Sequence, residues 1–255
     1  MINPQAQAFP QQLTFRLSLD DDATFKNFFC GNDGGPNNQI VHVLENALQR
    51  WVFQSRAKAR SGTLLEEFFW LWGVRGVGCS HLLQAICHEA ELLGVRAFYL
   101  DFSRHAALHP DVLLGLESMA LVCLDAIDEL AGQPEWEMAL FNLYNRMAES
   151  QTPLLIGAHS TPQQLQFKLP DLMSRMQSAV PFHLQMLSDE EKAVALQLRA
   201  DFRGFELSDE VARFLVARSE RSMTQLLAVL ALLDKHSLST QRKVTIPLLK
   251  SVMGW

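Results

Sequence analysis

Short apolar segments alternate with amphipathic helical patterns over much of the chain. Five of these segments are continuously apolar rather than alternating: EEFFWLWG, VRAFYLDF, MALVCLDA, TPLLIGAH and AVPFHLQML. Continuous apolar runs of this length are typical of strands that are covered on both faces. The pattern therefore predicts an α/β fold in which helices flank a mainly parallel sheet.

Amphipathic helices are predicted before and between the strands. The loop signal GNDGGPNNQ at residues 31–39 precedes a helical pattern over residues 40–54. A second pattern covers residues 80–94 and ends at Gly94, because glycine readily adopts the left-handed conformation found at helix ends. Its apolar residues fall on one face, as expected for a helix that covers a sheet.

Strand signals stop at Ser188, and only helical patterns follow. Ser188 with Glu191 and Ser222 with Gln225 form capping-box patterns, and Ser208 is a further N-cap candidate. The chain is predicted to have three parts: an extended tail over residues 1–22, an α/β domain over residues 23–187 and a small all-helical domain over residues 188–255.

The segment WGVRGVGCSHLL, residues 72–83, follows the first predicted strand and leads into a helix. It is similar to the P-loop pattern G-x-x-x-x-G-K-[ST], but Cys79 occupies the lysine position. Main-chain amides of such a loop and the positive end of the helix can hold a phosphate group. A tight turn without a ligand is the alternative. The candidate nucleotide-binding residues in this loop are Gly73, Arg75, Gly76, Val77, Gly78, Cys79, Ser80 and His81.

Asp125 ends the apolar strand in LVCLDAID, where P-loop proteins place the acidic residue that holds a metal ion. Ligands of open parallel sheets lie beyond the carboxyl ends of strands, where both the glycine loop and Asp125 are expected. The two motifs together favour nucleotide binding over a bare turn. Ser80 and Asp125 are the candidate ligands of a Mg²⁺ ion.

Two positions argue against hydrolysis by this chain. The lysine of a P-loop contacts the β- and γ-phosphates, and a second acidic residue usually orients the attacking water. Cys79 and Ala126 stand at these positions. We therefore expect slow or absent turnover by the chain alone, in a pocket that accepts ADP or another nucleoside diphosphate.

Charge and composition argue against several classes of protein. The net charge of −6 over 255 residues argues against non-specific nucleic-acid binding, which needs a positive surface. Four scattered cysteines suit reduced thiols rather than a disulfide scaffold or a metal site, and no signal-peptide or membrane-span pattern is present. We expect a cytoplasmic protein.

The histidines are expected at the surface or at helix caps rather than on zinc, notably His81, His88, His105, His109 and His159.

Four segments together resemble the AAA+ module of the DnaA family of bacterial replication initiators: GVRGVGCSHLLQA, LVCLDAIDELAGQPEWEMALFNLYNRM, LPDLMSRM and QRKVTIP. The similarity extends from about Thr24 to the C-terminus and is greatest to the short Hda branch, the DnaA regulatory inactivators. It implies an AAA+ P-loop domain with a five-stranded parallel sheet, followed by a helical lid. Because the chain stops at Trp255, we expect no helix-turn-helix domain after the lid, which favours a regulator over an initiator.

The resemblance also assigns arginine positions. In AAA+ proteins an arginine near the end of the sheet domain acts on the nucleotide of a neighbouring subunit, and Arg175 in LPDLMSRM matches that position. A surface arginine without a role is the alternative. The lid arginine of the family falls on Thr224 in RSMTQLL, and Arg221 lies one turn earlier. Which of the two serves the lid position stays open, as does the base identity of the nucleotide.

The tail carries a short candidate motif in QQLTFRL. Hda proteins have a Q-L-x-L-x-L-like peptide that docks on the DNA polymerase III sliding clamp (its beta subunit), and Gln12, Leu13, Phe15 and Leu17 are similar to it. A strand that packs on the chain's own sheet is the alternative.

The resemblance therefore implies an AAA+ regulator that binds the DNA-loaded clamp and stimulates hydrolysis of DnaA-bound ATP through Arg175. Its partners would be DnaA and the clamp, with a homodimer as a further candidate and no sequence-specific DNA binding. An autonomous P-loop ATPase of the helicase-loader type and a DNA-binding initiator fragment are the alternatives.

Overall fold

The computed structural model describes residues 23–31, 34–57, 68–103, 108–220, 222–240 and 244–255. The candidate clamp-binding residues Gln12, Leu13, Phe15 and Leu17 lie outside these ranges, as do Arg221 and His105.

A five-stranded parallel sheet forms the centre of the first domain, as the apolar segments predict. Its strands are β1 (Phe68–Trp72), β2 (Ala97–Asp101), β3 (Leu121–Asp125), β4 (Leu154–Ala158) and β5 (Val180–His183). They lie side by side in the order β2-β3-β4-β1-β5, and every pairing is parallel. The order places the ends of β1, β3 and β4 next to one another at one edge.

Eight α-helices surround or follow the sheet in the described ranges. Four belong to the sheet domain: α1 (Pro36–Ala57), α2 (Cys79–Leu92), α3 (Pro134–Ser150) and α4 (Pro170–Met176). Four follow it: α5 (Asp189–Phe202), α6 (Asp209–Arg218), α7 (Met223–Thr240) and α8 (Ile246–Met253). None of the helices in the described part of the chain is long and apolar enough to cross a membrane.

Each face of the sheet buries its own apolar core, which is why the strands are apolar without interruption. Phe68 and Trp70 of β1 point to the side covered by α3, whereas Phe69 and Leu71 point to the side covered by α1 and α2. Successive residues of a strand face opposite sides, so a strand covered on both faces needs apolar residues throughout.

The helices after the sheet share a separate core. Its buried residues come from α5 to α8, with Leu196, Leu215, Leu230 and Leu249 fully enclosed. The Ser188 and Glu191 side chains form the predicted capping box, and Ser208 caps α6. α7 begins directly after Ser222, while the Gln225 amide donates to Glu220.

The predicted start of the first helix was wrong. α1 begins at Pro36 rather than at residue 40, within the segment taken as a loop. Proline suits the first helical position because its missing N–H has no partner there in any case. The second helix begins at Cys79 and ends before Gly94, which adopts the left-handed conformation (φ 75°) as predicted.

Candidate functional site

A cleft of about 590 Å³ lies beyond the carboxyl ends of β1, β3 and β4, between the sheet domain and the helices that follow it. Its lining includes every residue that the sequence nominates for nucleotide binding: Gly73, Arg75, Gly76, Val77, Gly78, Cys79, Ser80, His81 and Asp125. The loop and the acidic strand therefore meet, although they are far apart in sequence.

Two glycines of the loop have backbone conformations that other residues rarely adopt. Gly76 has φ 84° and Gly78 has φ 113°. A Cβ atom on Gly78 would lie 2.6 Å from the Phe28 ring, and one on Gly73 would lie 2.8 Å from the carbonyl oxygen of Leu184. The path of the loop thus requires glycine both for conformation and for space.

The loop delivers main-chain amides into the cleft. The first hydrogen bond of α2 runs from the Leu82 amide to the Gly78 carbonyl (3.0 Å). The amides of Cys79, Ser80 and His81 precede that bond and have no carbonyl of their own helix to bind. Since all three residues line the cleft, the positive end of α2 is directed towards it.

The side chain at the P-loop lysine position is a neutral thiol. Burial raises the pKa of the Cys79 thiol far above its ordinary value, and the nearby carboxylates of Asp125 and Asp128 raise it further. A thiol held in this way neither ionises nor supplies positive charge. Any phosphate in this cleft must therefore be compensated by other groups.

Asp125 is a buried carboxyl with three hydrogen-bond donors. It is 5% exposed and accepts from the Tyr99 hydroxyl (2.9 Å), the Ala126 amide (2.9 Å) and the Ser80 hydroxyl. Burial raises its pKa, and these hydrogen bonds oppose the shift. Gly157 of β4 leaves the necessary space, because a Cβ there would overlap Asp125 and lie 2.7 Å from Leu83.

Ala126 has left-handed backbone geometry (φ 53°, ψ 43°). This conformation costs an alanine on the order of 1 kcal/mol, while aspartate and asparagine accept it more readily. The position at which the second acidic residue is expected thus keeps a backbone that suits aspartate but carries no carboxylate.

His159 is exposed, and it also lines the cleft. Its Nδ1 donates to Asp128 (3.0 Å), and its main-chain amide donates to both oxygens of the same carboxylate (3.0 and 2.9 Å). The pair joins the end of β4 to the turn after β3 and orients the imidazole at the edge of the cleft.

His81 and His88 on α2 are half-buried and bind main-chain carbonyls, which differs from the expected surface or capping roles. His81 Nε2 donates to the Thr24 carbonyl (2.8 Å), and His88 Nδ1 donates to the Ala23 carbonyl (2.7 Å). Ala23 itself lines the cleft. The two histidines hold the beginning of the described chain against α2.

The helices after the sheet complete the cleft. Thr224 of α7, which the resemblance matches to the family's lid arginine, lines it. Two further residues of the lining were not predicted from the sequence: Arg199 of α5 and Arg203, which caps the end of that helix. A Cβ on Gly76 would lie 3.2 Å from the Thr224 hydroxyl, so α7 approaches the glycine loop closely. The four-residue spacing of the two arginines, which places them on one helix face, was the only signal available in the sequence.

Arg175 lies outside the cleft lining, on the exposed side of α4. Its guanidinium packs over the Tyr144 ring, 5.5 Å from the centroid. Tyr144 and Ser178 are hydrogen bonded (3.1 Å), and Ser178 donates to the Arg175 carbonyl (2.6 Å). The Arg175 side chain thus packs on Tyr144 and remains exposed to solvent.

These residues fit a nucleotide with its metal ion. The glycine conformations keep the loop free of side chains, and the first amides of α2 suit phosphate oxygens. The Ser80 hydroxyl and the Asp125 carboxylate are oxygen ligands of the kind that Mg²⁺ prefers. A bound ion there would offset phosphate charge and the cost of the buried carboxylate.

Comparison with known proteins identifies the fold and the last domain. Residues 189–253 match the family model of the Hda lid domain. The chain is similar to domain III of the Thermotoga maritima replication initiation protein DnaA, with a TM-score of 0.68 and 19% identity over 92% of this chain and 97% of that chain.

It is also similar to AMPPCP-bound DnaA from Aquifex aeolicus, with a TM-score of 0.65 and 20% identity over 84% of this chain and 66% of that chain. The Thermotoga maritima RuvB Holliday junction branch migration motor has a TM-score of 0.62 and 16% identity over 91% of this chain and 71% of that chain. The chain therefore shares the fold of these proteins, and its last four helices match the Hda lid domain.

Proposed function

We propose that this protein is a nucleotide-binding AAA+ regulator that stimulates hydrolysis of ATP bound to DnaA and so negatively regulates the initiation of DNA replication. One contrast carries the proposal. The cleft keeps its main-chain phosphate cradle and lacks two groups that hydrolysis uses, whereas Arg175 is exposed and supported outside it.

Nucleotide binding rests on the glycine loop, the first amides of α2 and the Ser80–Asp125 pair. The DnaA of Aquifex aeolicus, which shares the fold, was solved bound to AMPPCP. We assign ADP or another nucleoside diphosphate to this chain, with Mg²⁺ held by Ser80 and Asp125. A diphosphate needs less positive charge from the protein than a triphosphate does.

We infer that the chain does not hydrolyse ATP by itself. The neutral thiol of Cys79 leaves the β- and γ-phosphates without the usual ammonium group, and Ala126 leaves the attacking water without its usual carboxylate. Both losses raise the barrier to hydrolysis without removing the main-chain cradle, so binding survives where catalysis does not.

Arg175 is the residue that would act on the partner. A guanidinium is permanently charged, and its planar fork matches phosphate oxygens. Directed at the ATP of a neighbouring DnaA, Arg175 would stabilise the charge that develops as the γ-phosphate leaves. Stacking on Tyr144 restricts the side chain beforehand, so less conformational entropy is lost on contact.

The sliding clamp would be contacted by Gln12, Leu13, Phe15 and Leu17, which lie outside the described residues. Apolar side chains of such a peptide fill a pocket, and the glutamine fixes the register through hydrogen bonds. His88 on α2 binds the Ala23 carbonyl and so fixes the chain beside the nucleotide cleft. The clamp-bound peptide precedes this point by only a few residues, so it would stay close to the cleft.

The test is a reconstituted assay of ATP bound in advance to DnaA, with this protein added in the presence or absence of DNA-loaded clamp. We expect hydrolysis to rise only when protein and loaded clamp are both present. The variant Leu13→Ala with Phe15→Ala should lose both clamp pull-down and stimulation while its thermal unfolding is unchanged. Stimulation without the clamp, or no stimulation at all, would refute the proposal.

The same assay separates the alternative of an autonomous helicase-loader-type ATPase. That alternative requires phosphate release by the purified protein without DnaA. The neutral thiol at position 79 argues against it.

A further inference from the structure

The charges around the cleft are divided between the two domains. The sheet domain contributes the carboxylates of Asp101, Asp125 and Glu129. The lid contributes Arg199 and Arg203, and Arg75 lies at the exposed tip of the loop. The wall formed by the strand ends therefore repels phosphate, and the only charged side chains on the described lid wall are guanidinium groups.

Arg199 is 8% exposed, which is unusual for an arginine. Enclosing a guanidinium is costly unless anionic or hydrogen-bonding groups surround it. Arg203 caps the end of α5, about 6 Å further along the helix axis, and its side chain is less buried. The two guanidiniums therefore border the same cleft at successive levels of one helix face.

The lid approaches the loop closely enough for these groups to share a ligand with it. Thr224 of α7 lies next to Gly76. At the other end, a Cβ on Gly31 would lie 3.0 Å from the Glu191 carboxylate of α5, so α5 also packs beside the beginning of the described chain. The cleft is thus bounded on one side by the amides of the loop and on the other by α5.

We propose that Arg199 and Arg203 supply the positive charge for phosphate that the glycine loop lacks at position 79, so that the lid and not the loop neutralises the nucleotide. The inference rests on nucleotide binding at this cleft as proposed above. It adds that bound phosphate joins the lid to the sheet domain, because the main-chain donors lie on the sheet domain and two of the three arginines that line the cleft lie on the lid.

Guanidinium groups suit this task because each can donate two parallel hydrogen bonds to phosphate. The neutral thiol of Cys79 is consistent with this arrangement, because the loop need not supply the positive charge when the lid arginines do. A lysine at position 79 would place an ammonium near the Asp125 and Asp128 carboxylates as well as near the phosphate.

The test measures binding by calorimetry with three probes: ADP, inorganic pyrophosphate and adenosine. We expect Arg199→Met and Arg203→Gln each to weaken ADP and pyrophosphate by about tenfold or more, as the loss of a charged hydrogen bond implies. Adenosine binding should change little. Arg213→Gln, at an exposed arginine of α6 outside the cleft lining, is the matched control and should bind all three probes like the unmodified protein.

A reciprocal variant distinguishes loss of charge from loss of folding in Arg203→Gln, and the thermal unfolding of Arg199→Met is measured beside it. Adding Cys79→Lys to Arg203→Gln should restore most of the affinity for pyrophosphate, and Cys79→Lys alone should raise it by a smaller factor, since the charge is then already supplied. Restoration excludes general damage to the lid as the cause of the loss.

The binding measurements distinguish failure of this inference from failure of nucleotide binding itself. If the unmodified protein binds neither ADP nor pyrophosphate, nucleotide binding itself fails. If it binds them and the arginine variants bind equally well, or lose ADP and adenosine by the same factor, the lid arginines do not neutralise phosphate and the inference is wrong.

Discussion

The cleft and the surface around Arg175 differ in which parts of a hydrolytic centre they keep. The cleft has glycine-determined main-chain geometry and a buried carboxyl, but a neutral thiol and an alanine stand where catalysis needs charge. Arg175 is a permanent charge, supported by Tyr144 and accessible to another molecule. On the function proposed above, binding and catalytic assistance would use separate surfaces, one for the chain's own nucleotide and one for a partner's.

The largest expected effect comes from Arg175→Ala. Because an arginine that reaches a neighbour's γ-phosphate contributes about 10³-fold or more to hydrolysis, we expect stimulation of DnaA-bound ATP hydrolysis to fall by that order. Affinity for ADP and for the clamp should stay the same. Arg218→Ala, at an exposed arginine of the lid, is the control. If both variants stimulate equally, Arg175 has no special role and the comparison fails.

An intermediate effect is expected from Gly78→Ala in the loop. The left-handed backbone at φ 113° and the Phe28 ring 2.6 Å from the new Cβ should together destabilise the protein by about 2 kcal/mol or more. Affinity for ADP should fall with it, while Arg175 and its surface are untouched.

Gly94→Ala is the matched control for that variant. Gly94 is also left-handed (φ 75°) but has no atoms within 4 Å of a new Cβ, so only the backbone cost, on the order of 1 kcal/mol, remains. Chemical denaturation of the two variants measures the difference. Equal losses would show that packing of Phe28 on the loop does not matter.

The smallest effect is expected from Asp125→Asn. Burial raises the pKa of the Asp125 carboxyl in the folded protein, so the ionised form costs stability above that pKa, and the cost disappears as the pH falls and the carboxyl is protonated. The variant should therefore unfold at a higher temperature than the nucleotide-free wild type near about pH 7. The gain should shrink towards the ordinary carboxyl pKa of 3.8.

Asp111→Asn, at an exposed carboxylate, is the control variant for the same measurement. A lower unfolding temperature for Asp125→Asn at neutral pH would mean that the hydrogen bonds from Ser80, Tyr99 and Ala126 outweigh the burial of charge.

The sequence predicted the parts of the site that follow from local patterns. Continuous apolar runs predicted the strands, and glycines with a following helix predicted the loop, because both reflect the conformation of a few consecutive residues. The meeting of the loop with Asp125 followed from the rule that the carboxyl ends of parallel strands lie at one edge.

The groups that line the cleft from a distance could not be predicted in this way. In the sequence, Arg199 and Arg203 are typical of an exposed helix face. They line the cleft only because the lid packs over the loop. His159 reaches the cleft because Asp128, after another strand, fixes its orientation. His81 and His88 bind carbonyls of residues far from them in sequence. Each depends on tertiary contacts that have no local pattern.

The most direct test of the central claim, that the cleft binds nucleotide without performing its chemistry, is a single-turnover experiment on the purified protein. Labelled ATP and labelled ADP are mixed separately with an excess of protein, and retained nucleotide and released phosphate are followed together. We predict that both nucleotides are retained, ADP at least as tightly as ATP, with phosphate release at the uncatalysed rate. Rapid phosphate release, or retention of neither nucleotide, would contradict the account.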